Sequence, residues 1–250
     1  MKFVIAPYDS VWVAIKPHLK EDELVERLLG SDILVSDLDD TDATSSAKSI
    51  AFNRLKTSYA NPEFLFWCLT TELRLAKKGR NAESESWSIF IEKFLRNPQV
   101  LKRLAETYNT EFAEKTLYPG VQEFYRMLPP EMIKIYLTRN IREIGEVYRE
   151  VLGFHEVLPE AFDKRHAMEG ILKNNPMIRR IILKGDSLED EGALDFVLHK
   201  HRKGELDGTT SIYVAKSPHQ LNPHFDINIG RNYNGLVQLI KEALLPVQHA

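Results

Sequence analysis

Apolar and polar positions along this chain change rhythm twice. From about Ser45 to Tyr118 the apolar residues recur three and four apart: Ala47, Ile50, Ala51, Leu55 and Tyr59, then Phe66, Leu69 and Leu73. Trp87, Phe90, Ile91 and Phe94 follow, and then Leu101, Leu104, Tyr108 and Phe112. That spacing stacks side chains on one face of a helix, so the segment predicts a bundle of about four helices, each with one apolar stripe. Pro62, Gly79 and Pro98 fall between the stripes as breaks. The aromatic stripe reads as core rather than as a cofactor box.

On either side the pattern is one of short β-branched runs separated by helical stretches. Ile33-Leu34-Val35, Ile133–Leu137, a short run near Val157, Ile181–Leu183, Ser211–Val214 and Phe225–Ile229 predict strands. Glu21–Leu29, Val121–Leu128, Glu143–Val151, Lys164–Lys173 and Leu236–Leu245 predict helices. His199-Lys200-His201 reads as a polar helix end rather than a pair of metal ligands. Strands alternating with helices define an α/β fold: a Rossmann-like parallel sheet with helices on both faces. The expected layout is an N-terminal extension over residues 1–31 packed on the core, a core of 32–43 and 117–250, and a helical insertion over 44–116.

Composition narrows the class of protein. A hydrophobic fraction of 43% in 250 residues supports a packed core and excludes a disordered chain. No apolar run approaches the roughly 20 residues of a membrane helix. Thirty-three basic against thirty-six acidic residues, with no basic block, argue against nucleic acid as a partner. The single cysteine, Cys68, excludes an intrachain disulfide and reads as a core residue. The apolar stretch Phe3–Ala6 is too short for the core of a secretory leader, so a reducing, cytoplasmic setting is expected.

Three predicted strands end in polar residues: Asp37-Leu38-Asp39-Asp40-Thr41, then Thr138-Arg139-Asn140, then Gly185-Asp186-Ser187 with Asp190 beyond. In a parallel sheet the strand C-termini share one edge, where open α/β sheets place their ligands. Period-two geometry sends Asp37 and Asp39 to the same side. With Asp186 they form an all-oxygen cluster of the kind that suits Mg²⁺.

Asp-x-Asp-x-Thr after an apolar strand, Thr ending a second, a lysine, and Gly-Asp-Ser-x-x-Asp after a third together resemble the haloacid dehalogenase (HAD) superfamily. The resemblance implies that Asp37 is the nucleophile of an aspartyl-phosphate mechanism and Asp39 the acid and then the base. It implies Mg²⁺ held by Asp37, the Asp39 carbonyl and Asp186, with Asp190 orienting the lysine or a metal-bound water. Thr138 and a lysine would bind the phosphoryl oxygens, with Arg139 and Asn140 on the substrate side; of Lys164, Lys173 and Lys184 the first is favoured, because it opens a helix whose free amides would also face the phosphate. The insertion would be a helical cap, which favours a small phosphate ester as substrate, no nucleic acid or membrane partner, and a monomer or homodimer. A phosphomutase or phosphotransferase uses the same groups, and a non-enzymatic phospho-ligand module is the reading from a different class. The chain departs from the family pattern at Asp42, where an apolar residue is usual and which predicts a more solvated turn; the lysine motif also lacks a following proline.

Overall fold

The computed structural model describes residues 2–8, 11–44, 50, 63, 66, 67, 70 and 86–244. Among the described residues the sheet has eight strands: β1 (Lys2–Tyr8), β2 (Val11–Ile15), β3 (Ile33–Ser36), β4 (Ile133–Leu137), β5 (Glu156–Leu158), β6 (Arg180–Gly185), β7 (Gly208–Val214) and β8 (Ile227–Ile229). Their order is β1-β2-β8-β7-β6-β3-β4-β5. The six strands from β3 to β8 pair in parallel. The all-parallel expectation fails only at one end, where β2 pairs antiparallel with β8 and carries β1 as a hairpin. Residues 1–31 thus contribute strands to the sheet itself, together with α1 (Glu21–Leu29).

Alternation along the central strands divides the core in two. Ile33, Val35, Ile181 and Leu183 face one apolar layer, closed by Met168 and Ile171 of α6 (Lys164–Asn174) and Ala193, Leu194 and Val197 of α7 (Leu188–Arg202). Leu34 and Ile182 face the other. There they meet α1, α4 (Val121–Met127), α5 (Arg142–Leu152) and α8 (Asn234–Leu244). A strand buried on both faces must be apolar at every position, which is why these runs are continuous rather than alternating.

α7 answers to no helix in the sequence pattern except at its polar end. Its buried stripe is Asp190, Ala193, Leu194 and Val197, and the aspartate that opens it masks the apolar period. In the insertion, Asn97 and Asn109 cap α2 (Pro98–Thr107) and α3 (Thr110–Thr116) through their side chains. A π-helical turn spans Ile91–Leu95. Trp67, Trp87, Phe90 and Phe94 pack ring to ring, as core residues do. Phe66, expected in a stripe, is exposed. The stripe positions Ala47, Ala51, Leu55, Tyr59, Leu69 and Leu73, and Cys68, lie outside the described residues.

Candidate active site

β3, β4 and β6 lie side by side and parallel, so the segments that follow them leave from one edge of the sheet. Asp37, the first residue past β3, is 6% exposed and donates its N–H to the Lys184 carbonyl at 2.9 Å. One carboxylate oxygen accepts the Leu38 N–H at 2.7 Å, and the other lies 2.8 Å from Lys164 Nζ. Lys164, the first residue of α6, is 2% exposed and also donates to Asp190 Oδ1 at 2.7 Å. Of the three candidate lysines, Lys164 is the one the fold brings beside Asp37. Lys173 is exposed in the last turn of α6, and Lys184 is engaged elsewhere.

Asp190 has both oxygens occupied. Its Oδ2 accepts the Asp186 N–H at 3.2 Å, the Ser187 N–H at 3.0 Å and the Ser187 hydroxyl at 2.6 Å. With Ser187 it forms the capping box of α7. Gly185 makes this possible, since a Cβ there would lie 2.1 Å from Asp190 Cγ. Asp186 in turn accepts from the Thr41 hydroxyl at 3.4 Å, which gives the motif threonine a direct link to the third motif.

One oxygen from each of Asp37, Asp186 and Asp190 falls within a 4.8 Å cluster. Burial raises the Asp37 carboxyl to about 7; Lys164 opposes this and the charge of Asp190 adds to it. Burial and then Asp37 raise Asp186 to about 8. For Lys164 burial acts downward, but the carboxylates of Asp190 and Asp37 more than reverse it, so the ammonium stays charged. Ionising these three acids, two buried and Asp186 half-buried, against the lysine that bonds two of them would leave excess negative charge, and hard oxygen donors so placed fit a divalent cation.

Asp39 is half-buried, and its Oδ2 accepts from Asn140 Nδ2 at 2.9 Å. Asn140, expected on the substrate side, is buried; its Oδ1 accepts the Ile141 N–H at 3.0 Å. Thr138 is buried at the end of β4, and its Oγ1 accepts the Asn140 N–H at 3.1 Å. Arg139 pairs with Glu189 at 3.4 Å, and its carbonyl accepts from Trp87 Nε1 at 3.1 Å, tying the inserted segment to the site. Arg96 makes a second tie, to Glu160 at 2.7 Å.

Asp42 reverses its expectation. Rather than solvating the turn it is 0% exposed and ion-paired with Lys184, itself 0% exposed. Sequence reasoning missed this pair. Its signal was present as two complementary anomalies, an aspartate where the pattern wants an apolar residue and a lysine inside an apolar strand.

No family model matches the chain, and no curated protein matches it in sequence. Solved structures do share its fold. DsGPDH of Dunaliella salina superposes with a TM-score of 0.58 at 18% identity, over 86% of this chain. This chain spans only 37% of that longer protein. A protein of Burkholderia xenovorans LB400 described as a haloacid dehalogenase-like hydrolase matches with a TM-score of 0.50 at 15% identity, over 86% of this chain and 98% of that one. A protein of unknown function from Bordetella pertussis Tohama I matches with a TM-score of 0.52 at 11% identity, over 73% and 89% of the two chains. The chain has the fold of the haloacid dehalogenase-like hydrolases. Among the described residues no helix is long and apolar enough to cross a membrane.

Proposed function

We propose that this protein is a Mg²⁺-dependent phosphohydrolase that cleaves a small phosphate ester through an aspartyl-phosphate on Asp37. The observation that carries the reading is the convergence of Asp37, Asp186 and Asp190 around Lys164 at the C-terminal edge of the parallel sheet. Asp37, Asp186 and the Asp39 carbonyl would hold the cation, which when bound offsets the charge of the phosphate as an anionic nucleophile approaches it.

The chain's own groups account for the rest. Asp37 forms a bond to phosphorus as the bond to the leaving oxygen breaks. Asp39, aimed by Asn140, gives that oxygen a proton and then takes one from the water that cleaves the acyl phosphate. Lys164 and the Thr138 hydroxyl neutralise and orient the phosphoryl oxygens. Asp190 acts through Lys164, since its oxygens are already committed. The ties from Trp87 and Arg96 hold the inserted segment against the 138–140 and 160 loops, which supports a cap over the site and a small, diffusible ester as substrate. Nucleic acid and membrane are not part of this reading, and it is compatible with a monomer or a homodimer.

A generic chromogenic phosphate ester tests the proposal. Asp37→Asn is expected to lower kcat by about a thousandfold or more, and EDTA to abolish turnover that Mg²⁺ restores. Turnover that survives Asp37→Asn, or that runs at full rate in EDTA, overturns it.

A further inference from the structure

Lys184 lies two residues before Asp186 and pairs in register with Ser36 at the end of β3. Strand alternation gives it the parity of Ile182, so its side chain enters the apolar layer beneath the site. Its Nζ donates to Asp42, to the Tyr125 hydroxyl and to the Tyr233 hydroxyl, the last at 3.1 Å. The rings of Phe124, Tyr125 and Tyr233 surround it, with centroids 5.6, 4.6 and 4.8 Å away. Asp42 Oδ2 accepts from Tyr125 at 2.6 Å, Tyr136 at 2.9 Å and Ser36 at 3.3 Å, while the Tyr233 hydroxyl reaches both its Oδ1 at 3.1 Å and the Thr41 carbonyl at 3.0 Å.

We infer that Asp42 and Lys184 are positioning residues: a buried clamp, wired through three tyrosines, that fixes the turn bearing Asp37 and Asp39 against the strand leading to Asp186. The inference rests on the phosphohydrolase reading for what those acids do, but the clamp itself is geometric. Lys184 holds both ends of the turn, since its carbonyl takes the Asp37 N–H at 2.9 Å while its ammonium takes Asp42. The Asp42 carbonyl also receives the Tyr118 N–H at 2.9 Å, where the chain returns from the inserted segment. An apolar pair would fill the same space at lower desolvation cost. It would lack the direction of charge-assisted hydrogen bonds, which specify where each end of a turn sits.

The test is the neutral double variant Asp42→Asn/Lys184→Gln, which keeps hydrogen-bonding groups but removes both charges. Thermal unfolding is expected to remain cooperative. The MgCl₂ concentration giving half the maximal thermal shift should rise about tenfold, and kcat on the chromogenic ester should fall about tenfold with KM within about twofold. Tyr233→Phe keeps the ring and deletes one wire, and kcat should fall about threefold at constant KM. Wild-type kcat and Mg²⁺ midpoint in the double variant overturn the inference. If the double variant does not fold, Tyr233→Phe decides it: a fall in kcat alone supports the clamp, and wild-type values overturn it. A wild-type protein without turnover defeats the phosphohydrolase reading instead, and the Mg²⁺ midpoint then still decides the clamp.

Discussion

A carboxyl group that gives and takes a proton is effective only while it points at the atom it serves. Asp39, the proposed acid and base, accepts a bond from Asn140 Nδ2 at 2.9 Å, and Asn140 is in turn fixed through the Ile141 amide. Asn140→Ala removes the bond and lets the Asp39 side chain sample its other rotamers. kcat on a phosphate ester is expected to fall about 10- to 100-fold while Mg²⁺ binding is retained. A kcat within a factor of about two of wild type would show that Asp39 needs no such support. Position 140 was legible as a strand-end residue, but its bond to Asp39 was not. A sequence places a side chain at an edge without saying which way its amide turns, and here it turns inward.

The start of α7 shows how elements share this burden. Gly185 ends β6, Ser187 and Asp190 cap the helix, and the same Asp190 carries Lys164 from α6. Gly185→Ala would put a methyl carbon where Asp190 Cγ stands 2.1 Å away, so either β6 or the cap must shift. Overpacking of this kind costs about 1–3 kcal/mol, to be read from denaturant unfolding, and kcat should fall as Lys164 loses its register. Unfolding within about 0.5 kcal/mol of wild type would mean the helix start adapts freely. The strands were legible because burial on both faces forces continuous apolar runs. α7 was not, because the residue that starts its buried stripe is an aspartate whose burial is rational only once Lys164 and the Ser187 amide are beside it.

Over the whole molecule the acid cluster should couple stability to pH and to cations. Asp37 and Asp186 have folded-state pKa values of about 7 and about 8, raised first by burial, against about 4 in an unfolded chain. Between about pH 4 and pH 8 the folded state therefore holds more protons than the unfolded one, so stability falls as pH rises across that window. In EDTA the melting temperature should drop by several degrees from pH 5.5 to pH 8. Mg²⁺ competes with those protons, so its stabilising shift should be larger at pH 8 than at pH 5.5. A melting temperature independent of pH in EDTA, or an equal Mg²⁺ shift at both pH values, would contradict the convergence of the acids.

Local pattern was enough to determine the α/β class and the strand ends at Asp37, Thr138 and Asp186, and to favour Lys164 among three lysines, because periodicity, strand-end polarity and a helix start are properties of neighbouring residues. Tertiary structure alone decided which side chains meet. It folded the first residues into the sheet as an antiparallel hairpin, turned Asn140 onto Asp39, and joined Asp42 to Lys184 across 142 positions of sequence. The physical reason is that a buried polar group must find its partners in space. The chain shows such a group only as an anomaly, and the fold supplies the partner that explains it.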